Sequence, residues 1–194
     1  MQIKHFFYLW LSFALLASCK TETKNNTLQF NVDPVLLGDQ FSIDSLQFGF
    51  SVPAGWEKMS DSVMTRVNQK ISVDSSADKL DMHLLAFYLD SLSSSFCSVS
   101  GVRFDASTVG VKDLYRESLQ KKYPGSGIKE GDFVINDVTV HQFLIMTDQK
   151  VVFKLLLNVQ GDSFLQIDYA IDRVIYPKYV NKIESSIGSI TSTI

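Results

Sequence analysis

Cysteine is scarce: the 194-residue chain holds two, Cys19 and Cys97. If Cys19 is consumed by modification, Cys97 has no partner and no intramolecular disulfide can form. Positive charge is not in excess either, with 18 Lys and Arg against 21 Asp and Glu, a net charge of −3. A mildly acidic chain without a basic stripe gives no footing for nucleic acid, and none is expected as a partner. The apolar run Phe6 to Leu16, diluted by Ser12 alone, falls short of the ~20 residues that a membrane-spanning helix needs. Enzyme signatures are missing as well. A serine nucleophile elbow requires Gly-x-Ser-x-Gly between a strand and a helix. The nearest approach is Gly125-Ser126-Gly127, which reads as a turn between a helix and a strand. The stretch Gly125 to Gly131 misses the dinucleotide spacing by one residue and leads into a strand, and no phosphate-binding loop is present.

What is there begins at the amino end. Lys4 and His5 precede the apolar run, which has the ~7–15 residue length of a signal-peptide core. Leu16-Ala17-Ser18-Cys19 follows, and then abruptly polar sequence, Lys20-Thr21-Glu22-Thr23-Lys24-Asn25-Asn26. These four residues resemble the lipobox of bacterial lipoproteins. The resemblance implies cleavage before Cys19, with Leu16, Ala17 and Ser18 recognised by the peptidase and the Cys19 thiol alkylated by diacylglycerol. Each buried methylene contributes ~0.8 kcal/mol, so two or three acyl chains hold a protein on a membrane without a spanning helix. Lys20 rather than Asp after the cysteine favours the outer membrane over the inner one in a cell that has both. The expected location is therefore membrane-anchored and extracytoplasmic.

The expected organisation is a signal peptide over 1–18, the lipidated cysteine and a flexible tether over 19–40, and one globular domain over 41–194. Loss of the leader removes Lys4 and moves the net charge from −3 to −4. With apolar residues at 45%, burial alone is sufficient to stabilise such a domain. Alternation predicts a first strand over Leu46–Val52, then Met82–Leu89, Ser95–Phe104, Gly131–Ile135, Val138–Thr147, Val151–Val159 and Phe164–Ile171. Asn136-Asp137 has the composition of a two-residue hairpin turn. In Val151–Val159 the odd-numbered residues Val151, Phe153, Leu155, Leu157 and Val159 form one buried face. Helices are expected over Asp61–Lys70 (capped by Ser60), Val111–Tyr123 and Pro177–Ile187, the last with Gly188 past its end. The sum is an α+β fold, an antiparallel sheet of about six strands flanked by three helices.

The run Phe48-Gly49-Phe50-Ser51-Val52-Pro53-Ala54-Gly55-Trp56, the order of elements, and the closing Tyr179 to Ile190 together resemble the PsbP-like family, which includes many bacterial lipoproteins of unknown role. The resemblance spans most of Phe41 to Ile190. It implies an α/β/α sandwich that binds or supports other proteins, and it transfers no active site. In the turn, Pro53 ends the strand ladder, Gly55 permits an unusual backbone angle, and Trp56 seals the sheet edge or the core.

Three side-chain sets invite a chemical reading. Asp81 and His83, two apart on a strand, share a face and could present to a metal, which His141 would join only if its strand lay nearby; neither a metal nor a cofactor is expected. Cys97, on one strand face with Val99, reads as a small buried hydrophobe. Glu130 and Asp132 read as a solvated face. The function expected is a membrane-tethered, non-enzymatic module that binds an envelope protein or assists its assembly. The alternative is a small-molecule or metal carrier with a cleft between sheet and helices, lined by Tyr169, Tyr176 and Tyr179.

Overall fold

The computed structural model describes residues 30–75, 80–104, 110–160 and 163–192; Leu16 to Cys19 lie outside them. In chain order the elements are β1 (Leu37–Ile43), β2 (Phe48–Pro53), β3 (Glu57–Lys58), α1 (Asp61–Ser75), β4 (Leu80–Leu89) and β5 (Phe96–Phe104). After these come α2 (Val111–Lys122), β6 (Gly127–Ile135), β7 (Val138–Met146), β8 (Lys150–Gln160), β9 (Ser163–Asp172), α3 (Tyr176–Gly188) and β10 (Thr191–Ser192). Seven strands make one antiparallel sheet in the order β3-β4-β5-β9-β8-β7-β6, and β1-β2-β10 make a second.

The α+β class and the three helices are as expected, while the strand arrangement is richer. The strand read at Leu46–Val52 does not join the main sheet. It becomes β2, paired antiparallel with β1 on one edge and β10 on the other. Five of its six residues are buried, so neither of its faces meets water as an outer strand of the main sheet would. Its place in that sheet is taken by the two-residue β3, which pairs Glu57 with Leu89 and Lys58 with Tyr88.

Period-two alternation sorts the main sheet into two apolar faces. Ala86, Tyr88, Cys97, Val99, Leu155, Leu157, Ile167 and Ile171 pack with β2, Trp56 and the Ile183–Ile187 side of α3. On the reverse, Val102, Phe143, Ile145, Val152, Leu156 and Ala170 pack with Tyr115 and Leu119 of α2. The result is the three-layer sandwich. The α3 stripe lies where the 3.6-residue period puts it, with Ile183 and Ile187 buried, but Ser185 and Ser186 are buried as well. The third helix, α1, runs to Ser75, past the expected Lys70, and lies beside β4. There the Asn68 side chain bonds both the amide (2.7 Å) and the carbonyl (3.1 Å) of Leu84. One amide side chain thus substitutes for a strand partner next to a register shift between Leu84 and Ala86. Ser60 sits before α1, but its hydroxyl meets Ser62 Oγ rather than a backbone amide.

The domain begins earlier than residue 41. Phe30 packs on Phe133 with ring centres 5.7 Å apart, the Asp33 amide donates to Ser185 Oγ, and β1 starts at Leu37. Apolar residues between 30 and 37 (Phe30, Val32, Val35, Leu36 and Leu37) are too few and too irregular to show a period. Gly188 belongs to this contact. It is the last residue of α3 rather than a residue beyond it, and a Cβ there would lie 2.6 Å from Val32 and 2.7 Å from Phe30. Its smallness lets the incoming segment lie against the helix. The Asn136-Asp137 turn is as read, both residues having left-handed φ of 43° and 66°, the requirement of a two-residue primed hairpin.

Candidate functional site

At the end of the sheet marked by the Asn136-Asp137 turn lies an open cleft of about 510 Å³. Asp137, Thr139, His141, Asn158 and Ser192 line it, with the buried Phe48 and Val138. β6 and β7 position its histidine: Asp132 stands directly across from His141, and the ring Nδ1 lies 2.7 Å from Asp132 Oδ1. Lys112, from the first turn of α2, closes on the same carboxylate at 2.7 and 2.8 Å. His141 and Lys112 together hold the Asp132 carboxyl below the usual range. Beside it Arg116 grips Glu130 at 2.5 and 2.7 Å, which lowers that carboxyl too. Glu130 and Asp132, read as a solvated face, are thus paired with α2. A carboxylate on Nδ1 fixes the ring and leaves Nε2 as the nitrogen that can meet a ligand. With a carboxylate, two hydroxyls and an amide around it, the cleft has the chemistry to hydrogen-bond a small polar molecule.

Asp81, His83 and His141 are not brought together. Asp81 and His83 do share a face of β4 and are exposed, opposite Arg103 and Gly101. His141, however, is on β7, and β5, β9 and β8 lie between. Four strand spacings of ~4.8 Å put the two about 19 Å apart. Sequence spacing cannot foresee this, because strand order in the sheet is not chain order. Among the described residues no group of three His, Cys, Asp or Glu is placed to hold a metal ion.

Among the described residues, the three tyrosines expected to line a cleft are packed against other side chains. Tyr169 is wholly buried, its hydroxyl 2.9 Å from Ser186 Oγ, and burial pushes it well above the ordinary tyrosine value. Tyr176 packs on Phe153, ring centres 6.0 Å apart, and Tyr179 donates to Asp90 Oδ2 at 2.5 Å. The side chains thus fill the space between α3 and the sheet. Cys97 is fully buried there, its thiol raised by burial and by the charge of Asp168. Gly55 has φ +80°, Trp56 is buried against Tyr169, and Pro53 still pairs with Leu37. Gly125, at φ +78°, turns the chain from α2 to β6.

A polar cluster not expected from the sequence lies beneath α2. Lys154 and Asp168 are direct cross-strand partners on β8 and β9, joined at 2.6 Å with side chains 7% and 14% exposed. Gln166 Nε2 donates to the same Asp168 oxygen at 2.8 Å, and Tyr115 donates to Gln166 Oε1 at 2.6 Å. Burial alone would lower the Lys154 pKa, but Asp168 and the nearby tyrosines outweigh it and raise it. Asp168 Oδ1 and Trp56 Nε1 are buried with no hydrogen-bond partner. The signal was visible as a lysine inside the run Val151–Leu157, on the face opposite the apolar one.

No family model and no curated protein matches the chain. Its structure is similar to that of cyanobacterial PsbP (CyanoP) from Synechocystis sp. PCC 6803, with a TM-score of 0.52 and 10% identity over 81% of this chain and 93% of that one. It is similar at a TM-score of 0.45 and 9% identity to the Saccharomyces cerevisiae Ran-binding protein Mog1p, over 79% of this chain and 95% of that one. A Bacteroides thetaiotaomicron VPI-5482 protein matches at a TM-score of 0.40 and 12% identity over 81% of this chain and 49% of that one. Of these three, the first supports the fold: the chain has a PsbP-like architecture.

Proposed function

We propose that this protein is a lipid-anchored module of the cell envelope that binds another protein and assists its assembly. The observation that carries the reading is where the chain enters the domain. Phe30 and Val32 lie at Gly188, the far end of α3, beside the Asn136-Asp137 end of the sheet. The eleven Cα-to-Cα steps from Cys19 to Phe30 span at most about 39 Å fully extended. An anchor at Cys19 therefore tethers the domain to the lipid by this end. The Mog1p neighbour is described as Ran-binding, but its likeness is too distant to suggest a partner here. In cells, Cys19→Ala should move the protein from the membrane to the soluble fraction and abolish its crosslinks to a partner. Unchanged fractionation would refute the anchor.

The cleft at His141 favours a second reading, a carrier of a small polar ligand. Screening the full-length protein by thermal shift tests it: a ligand that raises Tm in the wild type but not in His141→Ala supports a carrier.

A further inference from the structure

The cleft at His141 is built by both sheets. The main sheet supplies Asp137 from its hairpin turn, Thr139 and His141 from one face of β7, and Asn158 from the end of β8. The last β7–β8 pair is Val140 with Leu157, so Asn158 falls one step on, opposite Thr139. The second sheet supplies Phe48 and Ser192, which are direct partners on β2 and β10. Asn136 Nδ2 donates to Ile190 O at 2.7 Å and ties the hairpin turn to the residue that leads into β10. The polar groups thus stand on elements fixed to one another before any ligand arrives. The volume of about 510 Å³ lies within the ~300–1,000 Å³ range of ligand clefts.

The floor is apolar and the rim is not. Phe48 and Val138 are buried, whereas Asp137, Thr139 and Asn158 are exposed and His141 and Ser192 half-buried. Among the described residues that line the cleft, Asp137 brings the one formal charge. The Lys112 ammonium near His141 is already held by both oxygens of Asp132, so an anion would meet the Asp137 carboxylate without a lysine or arginine lining the cleft to offset it. A metal ion would find one carboxylate and one imidazole, fewer than the three protein ligands of even an open zinc site. An ammonium would pair with Asp137 alone, and an exposed ion pair is worth little.

Hydroxyl groups suit the rim better. The Asp132 carboxylate accepts from Nδ1–H, so neutral His141 offers Nε2 as an acceptor. Asp137 also accepts, while Thr139, Ser192 and Asn158 each both donate and accept. A row of neighbouring hydroxyls, each donor and acceptor at once, satisfies that mixture. A pyranose ring carries such a row and adds a C–H face to lie on Phe48 and Val138. We propose that the cleft at His141 binds a neutral sugar, with Asp137, Thr139, His141, Asn158 and Ser192 taking its hydroxyls. This deepens the carrier reading of the same cleft and rests on it.

The test is a backbone-amide NMR titration of the full-length protein in a zwitterionic detergent without a sugar headgroup. The probes are the methyl glycosides of glucose, galactose, mannose and N-acetylglucosamine, with putrescine and inorganic phosphate as charged rivals. At least one glycoside is expected to shift the signals of Thr139, His141, Asn158 and Ser192 saturably, and those of Asp81 and His83 not at all. Asn158→Leu and Thr139→Val, both at exposed positions, should each weaken that glycoside by about fivefold or more, the loss of one hydrogen bond. Tm of the ligand-free variants should stay unchanged. No shift with any glycoside, or shifts that neither substitution weakens, would overturn the sugar. Putrescine or phosphate saturating the same residues in place of a glycoside overturns it too, and leaves the carrier reading standing. A cleft that answers to none of these probes defeats the carrier reading as well.

Discussion

Lys154 shows what a single residue inside the core implies. Its ammonium is buried beside Asp168, whose other oxygen has no partner, so the two charges depend on each other. Removing one partner of a buried pair costs about 3–5 kcal/mol, whereas replacing both by apolar groups is often neutral. Lys154→Ala should lower the urea-unfolding free energy by about that amount, and Lys154→Met with Asp168→Leu should recover most of it. Asp90, like Glu130 and Asp132, is a residue through which pH acts on stability. Burial alone would raise its pKa, but hydrogen bonds from Ser93, Tyr179 and the Leu92 amide, with the charge of Lys182, outweigh this and lower it. A carboxyl depressed in the folded state contributes stability above its unfolded value of ~3.9 and loses it as pH falls through the folded one. Urea midpoints measured from pH 7 downward should fall in the acid range, and Asp90→Asn should be less stable at pH 7 with a shallower acid loss. Lys154 could be seen in the sequence as a break in an apolar run. Its partner could not, because only the β8–β9 register places it opposite Asp168.

Among the elements, α3 and the segment laid over it depend on one hydrogen atom. Gly188→Ala would drive a methyl to within 3 Å of both Val32 and Phe30, and overpacking of this kind costs about 1–3 kcal/mol. The variant should melt lower, and hydrogen exchange should quicken at the Asp33 amide, which Ser185 Oγ holds. Unchanged exchange there would mean the segment does not depend on Gly188. The helices and the long strands were legible from their periods, because β8 and α3 each offer enough residues to repeat a pattern. β1 was not. Its burial is partial and irregular, and it is a strand because β2 lies beside it. The two-residue strands β3 and β10 carry no period at all.

The molecule as a whole buries Cys97 between the main sheet and the layer of α3 and β2, with no exposed surface. A thiol reagent should therefore label it only through global opening, and its rate should rise with urea in step with unfolding. Fast labelling in native buffer would mean this layer opens by itself. The fold class and the hairpin at Asn136-Asp137 were determined by the sequence, because alternation, helical period and turn composition are local properties. The cleft at His141, the distance between His83 and His141 and the filled space around Tyr169 were decided by the tertiary structure alone. Each depends on which strands become neighbours and which turns share an end of the sheet. Strand order and register are settled by packing among residues far apart in the chain, and no local pattern carries them.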